Sequence, residues 1–214
     1  MELFRPESAP RRLTTPAQRN ALIAALGVDA LVVARFDREL AELSREEFMA
    51  EILKGRLGAE AIVEGADFCF GKGRAGDLAS LQRVQGDYDF TLHTLKPVLV
   101  DGLSASSTRV RERLCAGEIA SAEAMLGHGF WLVGRVVRGQ RTNRVPGSSI
   151  ALDTLYRQIL PADGSYVVRA GLDDGRELDG ACILCTKADR CTVTHLPDCD
   201  EDLDGREMVL RFIR

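Results

Sequence analysis

The chain has 214 residues, with 28 Lys+Arg against 32 Asp+Glu for a formal net charge of −4, and 45% hydrophobic residues. That length holds one or two domains, and the apolar fraction excludes a disordered chain. No apolar run reaches the ~18 residues of a membrane helix, Met1–Pro6 has no signal-peptide core, and the mild acidity argues against a nucleic-acid binder, so the reading is a cytoplasmic protein without membrane or nucleic-acid partners.

Thr15-Pro16-Ala17-Gln18 is a helix start, with Thr15 as cap, Pro16 at the first helical position and Gln18 closing a capping box. The helix stops at Gly27. Asp29–Ala34 is a continuous apolar run, the pattern of a strand buried on both faces. Ser44-Arg45-Glu46-Glu47 is a second capping box, opening a helix through Phe48, Ile52 and Leu53 that closes near Gly55. Ala59–Val63 reads as the next strand, a helix from Asp77 places Leu78, Leu81 and Val84 on one face, and Phe90–Leu95 is a further strand. Strands alternating with helices define a parallel α/β sheet. Ligands bind such sheets at the carboxyl ends of strands, which directs attention to the loops after Val63 and Leu95.

From Phe130 the periodicity is closer to two. Phe130–Val137, Tyr166–Val168, Ala181–Leu184, Thr192–Thr194 and Met208–Leu210 are strand candidates, with turns at Asp173-Asp174-Gly175 and Asp204-Gly205. This pattern suggests a small antiparallel barrel or sandwich. The boundary falls near Gly127, giving domains 1–127 and 128–214.

Two motifs carry chemistry. Residues 64–77 hold four glycines, Phe68, Phe70, Lys72 and Arg74 between a strand and a helix. Glycines allow close backbone approach, a helix start favours an anion, and a Phe ring can lie on a planar ligand. The alternative is a solvent-exposed turn with both Phe side chains in the core. It is not a P-loop, because no Gly-Lys-Ser/Thr stands at the required spacing. The second motif, Ser104–Arg111, gathers hydroxyls with Arg109 and Arg111 at a helix start. Such donors suit phosphate oxygens and the charge that develops in phosphoryl transfer. The alternative there is an ordinary Ser-capped helix.

Cys182, Cys185, Cys191 and Cys199 crowd the C-terminal end around His195. Only the first pair has zinc-like spacing. The plain reading is free thiols acting as small apolar residues in a β-domain.

Taken in order, these stretches resemble the bacterial bifunctional riboflavin kinase/FAD synthetase family. The matching segments are Leu13–Thr15, Leu26–Asp29, Leu43–Phe48, Gly65–Asp77, Ser106–Arg111, Gly117–Ile119, Leu126-Gly127 and Val133–Val137, with Leu160–Tyr166 resembling the kinase half. The resemblance implies a nucleotidyltransferase-type (Rossmann-like) α/β domain followed by a small antiparallel flavokinase-like barrel. It implies FAD synthesis, the transfer of AMP from ATP to FMN with Mg2+. The family's phosphate-binding stretch maps to Ser106, Ser107, Thr108 and Arg111, and its nucleotide and flavin cleft to Gly65, Asp67, Phe68, Phe70 and Gly71. No protein nucleophile is needed, and no catalytic residue is assigned.

The chain departs from the family in both halves. Family members open with a strand and a Gly-x-Phe-Asp-Gly-x-His-x-Gly-His loop, whereas His93, His128 and His195 belong to no such motif. The chain therefore reads as N-terminally truncated, without the first strand-loop-helix, and self-association through the open sheet edge is expected. In the kinase half, Gly147–Leu152 stands where a Gly-x-Pro-Thr-Ala-Asn segment serves Mg-ATP, and Val193 stands where a catalytic Glu is expected. Ile150 and Leu152 offer no oxygen to a hard cation, and Val193 is no base. Beside FAD synthesis with a degenerate kinase half stand two other readings: a truncated pseudoenzyme that binds flavin or nucleotide without turnover, and a C-terminal Cys/His zinc-binding interaction domain.

Overall fold

The computed structural model describes residues 9–137, 150–185, 190–196, 199 and 203–213. It is a mixed α/β structure with a parallel sheet and an antiparallel barrel. Two compact units result: one holds Val32–Leu99, the other Pro10–Leu31 and Val100–Arg214.

In the first unit, strand β1 (Ala61–Gly65) follows the short helix α2 (Arg38–Glu42) and helix α3 (Arg45–Glu47). The Ser44 box forms as the sequence implies, Glu47 N–H donating to Ser44 Oγ and Ser44 N–H to Glu47. Beyond Glu47 the expected α-helix becomes a π-helix, Phe48–Arg56. Gly55 accommodates it, since a Cβ there would stand 2.9 Å from Ala50 O. After β2 (Cys69–Phe70) and β3 (Gly76–Asp77), helix α4 (Leu78–Val84) is capped by Asp77, whose carboxylate accepts Ser80 N–H at 2.8 Å. β4 (Thr91–Leu95) then pairs in parallel with β1, Val63 opposite His93.

The core of this unit is Met49, Ile62, Phe70, Leu81 and Phe90. Among the described residues the sheet is covered on one face. Ile62 is buried while Val63 and Leu95 are exposed. Asp29–Ala34 forms no strand, which corrects the sequence reading. Val32 is 69% and Val33 63% exposed. An apolar run expresses affinity for a sheet but does not supply the neighbour whose ladder makes it a strand.

In the second unit, helix α1 (Pro16–Ala25) carries the Thr15–Gln18 capping box and ends at Gly27, φ +78°. The chain passes from the first unit to the second within strand β5 (Leu99–Val100), which forms a two-stranded ribbon with β6 (Leu103–Ser104). Helices α5 (Ser107–Cys115) and α6 (Ile119–Leu126) follow, and Val110, Leu114 and Ala122 pack into the barrel core. The barrel consists of β7 (Trp131–Val137), β8 (Ile150–Thr154), β9 (Gly164–Leu172), β10 (Glu177–Cys185), β11 (Arg190–His195) and β12 (Glu207–Phe212). Their order is β10-β11-β8-β7-β12-β9, closed by β9 on β10, and all pairs are antiparallel. Closure removes every free edge. β8 was not among the strands expected from the sequence.

Candidate functional site

The two motifs fall in different compact units, and each is built by its own neighbours.

The glycine-rich loop is clamped rather than open. Gly71 has φ +71°, and a Cβ there would lie 2.8 Å from the N and Cα of Arg45. Lys72 N–H donates to Leu43 O at 2.7 Å, so the loop is held on the start of α3. The Lys72 ammonium pairs with Glu42, which raises its pKa through that hydrogen bond. Phe70 is 6% exposed and belongs to the core, packed against Phe48 and stacked with half-buried Phe68, ring centroids 5.5 Å apart in both pairs. Phe70 therefore shapes the loop from beneath, leaving Phe68 as the aromatic residue with a partly open surface. Gly65 ends β1, where Phe68 N–H donates to its carbonyl at 3.1 Å, and Asp67 is exposed beside it. Asp77, closing the loop, is held below the usual carboxylate range by the Ser80 hydroxyl and N–H.

The second motif is the start of α5. Ser106 is the N-cap, its Oγ accepting Arg109 N–H at 3.3 Å. Ser107 and Thr108 occupy the first turn and are exposed. Their N–H groups have no intrahelical acceptor. Val110 and Leu114 fix the opposite face in the core. Arg111 folds back along the helix, as long helical side chains do. Its Nη1 donates to Ser107 O at 3.1 Å and its Nε to Arg11 O at 2.7 Å. This places a permanent cation beside the positive end of the helix dipole, an arrangement suited to an anion. Arg109 lines a cleft of about 390 Å³ with Leu103, Glu112, Arg113 and Ala116, and its Nη1 is buried without a hydrogen-bond partner among the described residues.

The cysteine cluster gathers no ligand set. Cys182 faces the barrel core and Cys185 lies exposed further along β10, so the C-x2-C pair is split between the two faces. Cys199 is buried. No group of three His, Cys, Asp or Glu positioned to hold a metal exists among the described residues. The side chains of Ile150, Cys191, Val193 and His195, and all of Gly147–Ser149, lie outside the described residues. Leu152 is buried in the barrel core.

Sequence reasoning missed the fully buried Gln158. Its Nε2, with two N–H groups, stands within hydrogen-bond distance of Leu13 O, Trp131 O and Gln18 Oε1, and its Oε1 accepts Val133 N–H. A lone Gln carries no pattern that marks it in a sequence.

A glycine-rich loop after a parallel strand, and a Ser-capped helix start bearing arginines, are each features suited to an anion. A family model described as FAD synthetase matches residues 1–109. The chain belongs to the FAD synthetase family. It is 36% identical over 219 residues to the bifunctional riboflavin kinase/FMN adenylyltransferase of Escherichia coli, covering 99% of this chain and 70% of that protein. It is 38% identical over 172 residues to the protein of the same name from Pseudomonas fluorescens, covering 80% of this chain and 55% of the relative. The fold is similar to a crystal structure of a macrolide-efflux protein from Streptococcus pneumoniae, TM-score 0.77 and 25% identity, covering 94% of this chain and 65% of that one. Among the described residues no helix is long and apolar enough to cross a membrane.

Proposed function

We propose that the chain works in cytoplasmic FAD synthesis by joining the AMP part of ATP to FMN. In this reading residues 1–127 are a nucleotidyltransferase-type part and residues 128–214 a flavokinase-like part. The observation that carries it is the start of α5, where Ser106, Ser107, Thr108 and Arg111 present hydroxyls, N–H groups and a guanidinium on one helix turn. An oxygen of the FMN phosphate attacks the α-phosphorus of ATP, the α–β phosphoanhydride bond breaks, and pyrophosphate leaves. The Arg111 guanidinium and the first N–H groups of α5 hold the departing charge, which strengthens as the bond breaks. Mg2+ bound to ATP would neutralise phosphate charge as pyrophosphate leaves. Gly65, Asp67, Phe68 and Gly71 bound the flavin and nucleotide cleft, with Phe70 supporting Phe68 from the core.

Incubating the chain with FMN, ATP and Mg2+ and separating flavins by chromatography tests this. FAD and pyrophosphate in equal amounts are expected. No FAD, together with no protection of the chain from thermal unfolding by ATP or FMN, would sink it.

A further inference from the structure

One peptide unit, Arg11–Arg12, links the barrel to the proposed phosphate site within a single compact unit. Arg12 N–H donates to Arg157 O at 3.2 Å and Arg12 O accepts Ile159 N–H at 2.8 Å, forming a parallel bridge between Arg12 and Gln158. A trans peptide points its N–H and C=O in opposite directions. With Arg12 N–H facing Arg157, the carbonyl of Arg11 faces away, and there it accepts Arg111 Nε at 2.7 Å. The guanidinium is thereby aimed by a backbone atom whose own direction is set from the barrel.

The Gln158 side chain holds the chain next to that unit, at Leu13. Its two Nε2 N–H groups are shared among Leu13 O at 3.0 Å, Trp131 O at 2.9 Å and Gln18 Oε1 at 3.3 Å, while Val133 N–H reaches its Oε1 at 3.1 Å. Gln18 in turn caps α1 through Thr15 and donates to Trp131 O at 3.1 Å. The two neighbours ahead of Gln158, Tyr156 and Arg157, have φ +59° and +51°, a backbone state that persists only where surroundings enforce it. A buried amide is costly unless satisfied. Here each of its bonds fixes either the segment 13–18 or strand β7.

We propose that Gln158 is a positioning residue for Arg111: its amide sets the register of Arg12 on Gln158, and hence the direction of the Arg11 carbonyl that aims the guanidinium at the start of α5. The inference rests on the reading of Arg111 as a phosphate ligand. It makes the barrel part of the phosphate site without touching the nucleotide.

The test titrates the full chain with Mg-ATP by calorimetry. The variants are Arg111→Ala, Gln158→Met, the double variant, and Leu184→Ala, which removes a buried side chain on β10, a strand that pairs with β9 and β11 and not with β7. The expected result is about tenfold weaker binding for Gln158→Met, at least that for Arg111→Ala, and a double variant no weaker than Arg111→Ala alone. Leu184→Ala should melt earlier and keep wild-type affinity. Unchanged affinity in Gln158→Met with a loss in Arg111→Ala overturns the inference and leaves the phosphate-site reading standing. Unchanged affinity in Arg111→Ala overturns that reading and the inference with it. Equal weakening in Leu184→Ala means general loosening and also overturns the inference. If Gln158→Met does not fold, Gln158→Asn, which keeps the amide on a shorter stem, carries the same comparison.

Discussion

Phe70 and Gly76 face each other across the β2–β3 pair, and the ring of Phe70 occupies the space a side chain at Gly76 would need. A Cβ at Gly76 would stand 2.6 Å from two ring carbons. Gly76→Ala should therefore destabilise the chain by about 1–3 kcal/mol through overpacking. Adding Phe70→Leu should recover part of that loss. Urea unfolding of the three variants checks both; equal stability of Gly76→Ala and wild type would mean the ring moves aside freely.

Gly71 and Gly73 share a positive φ but not a neighbourhood. A Cβ at Gly71 meets the Arg45 backbone, whereas nothing lies within 4 Å at Gly73. Gly73→Ala should cost only the left-handed penalty of about 1–2 kcal/mol, and Gly71→Ala that plus overpacking of roughly 1–3 kcal/mol. Comparable losses in the two variants would show that α3 does not clamp the loop.

What the sequence made legible was mostly local. The Thr15–Gln18 and Ser44–Glu47 boxes and the helix from Asp77 are set by residues three apart, and all three form. The barrel strands follow from alternation and Gly turns, and Gly175 and Gly205 indeed take positive φ. Asp29–Ala34 was misread because hydrophobicity does not say whether a partner strand stands alongside. β8 was missed because its residues were weighed as ligands rather than as a strand. In the site, the helix start at Ser106 was legible from its hydroxyls, but Phe70 reads alike as cleft or core. Gln158 and the carbonyl aiming Arg111 were invisible, since both depend on contacts about 100 residues or more apart in the chain.

Asp174 bonds Arg176 and Arg206 at the β9–β10 turn, and Arg206 also pairs with Asp173. The Arg176 side chain, then that of Arg206, hold the Asp174 carboxyl well below the ordinary range. A carboxylate depressed in the folded state contributes stability above its unfolded pKa of about 3.9 that is lost as pH falls through the folded value. The urea midpoint should therefore fall as pH drops below about 4, and Asp174→Asn should flatten part of that slope. The group is exposed, so added salt should shrink the difference. An identical acid slope in both proteins would count against the pairing.

The C-terminal barrel is expected to make no FMN from riboflavin and ATP. Leu152 is sealed in the barrel core, and Ile150 and Val193 bring no oxygen or base where the family pattern places them. FMN above a protein-free control, at a rate lost when the barrel is removed, would contradict this.

The most direct measurement of the central claim is the rate of FAD formation from FMN and Mg-ATP by wild type, Arg111→Lys and Arg111→Ala. The account predicts FAD from the wild type, a fall in kcat/KM of about tenfold or more for Arg111→Ala, and partial activity for Arg111→Lys, which keeps the charge but not the planar fork. FAD formed equally fast without the Arg111 guanidinium would contradict it.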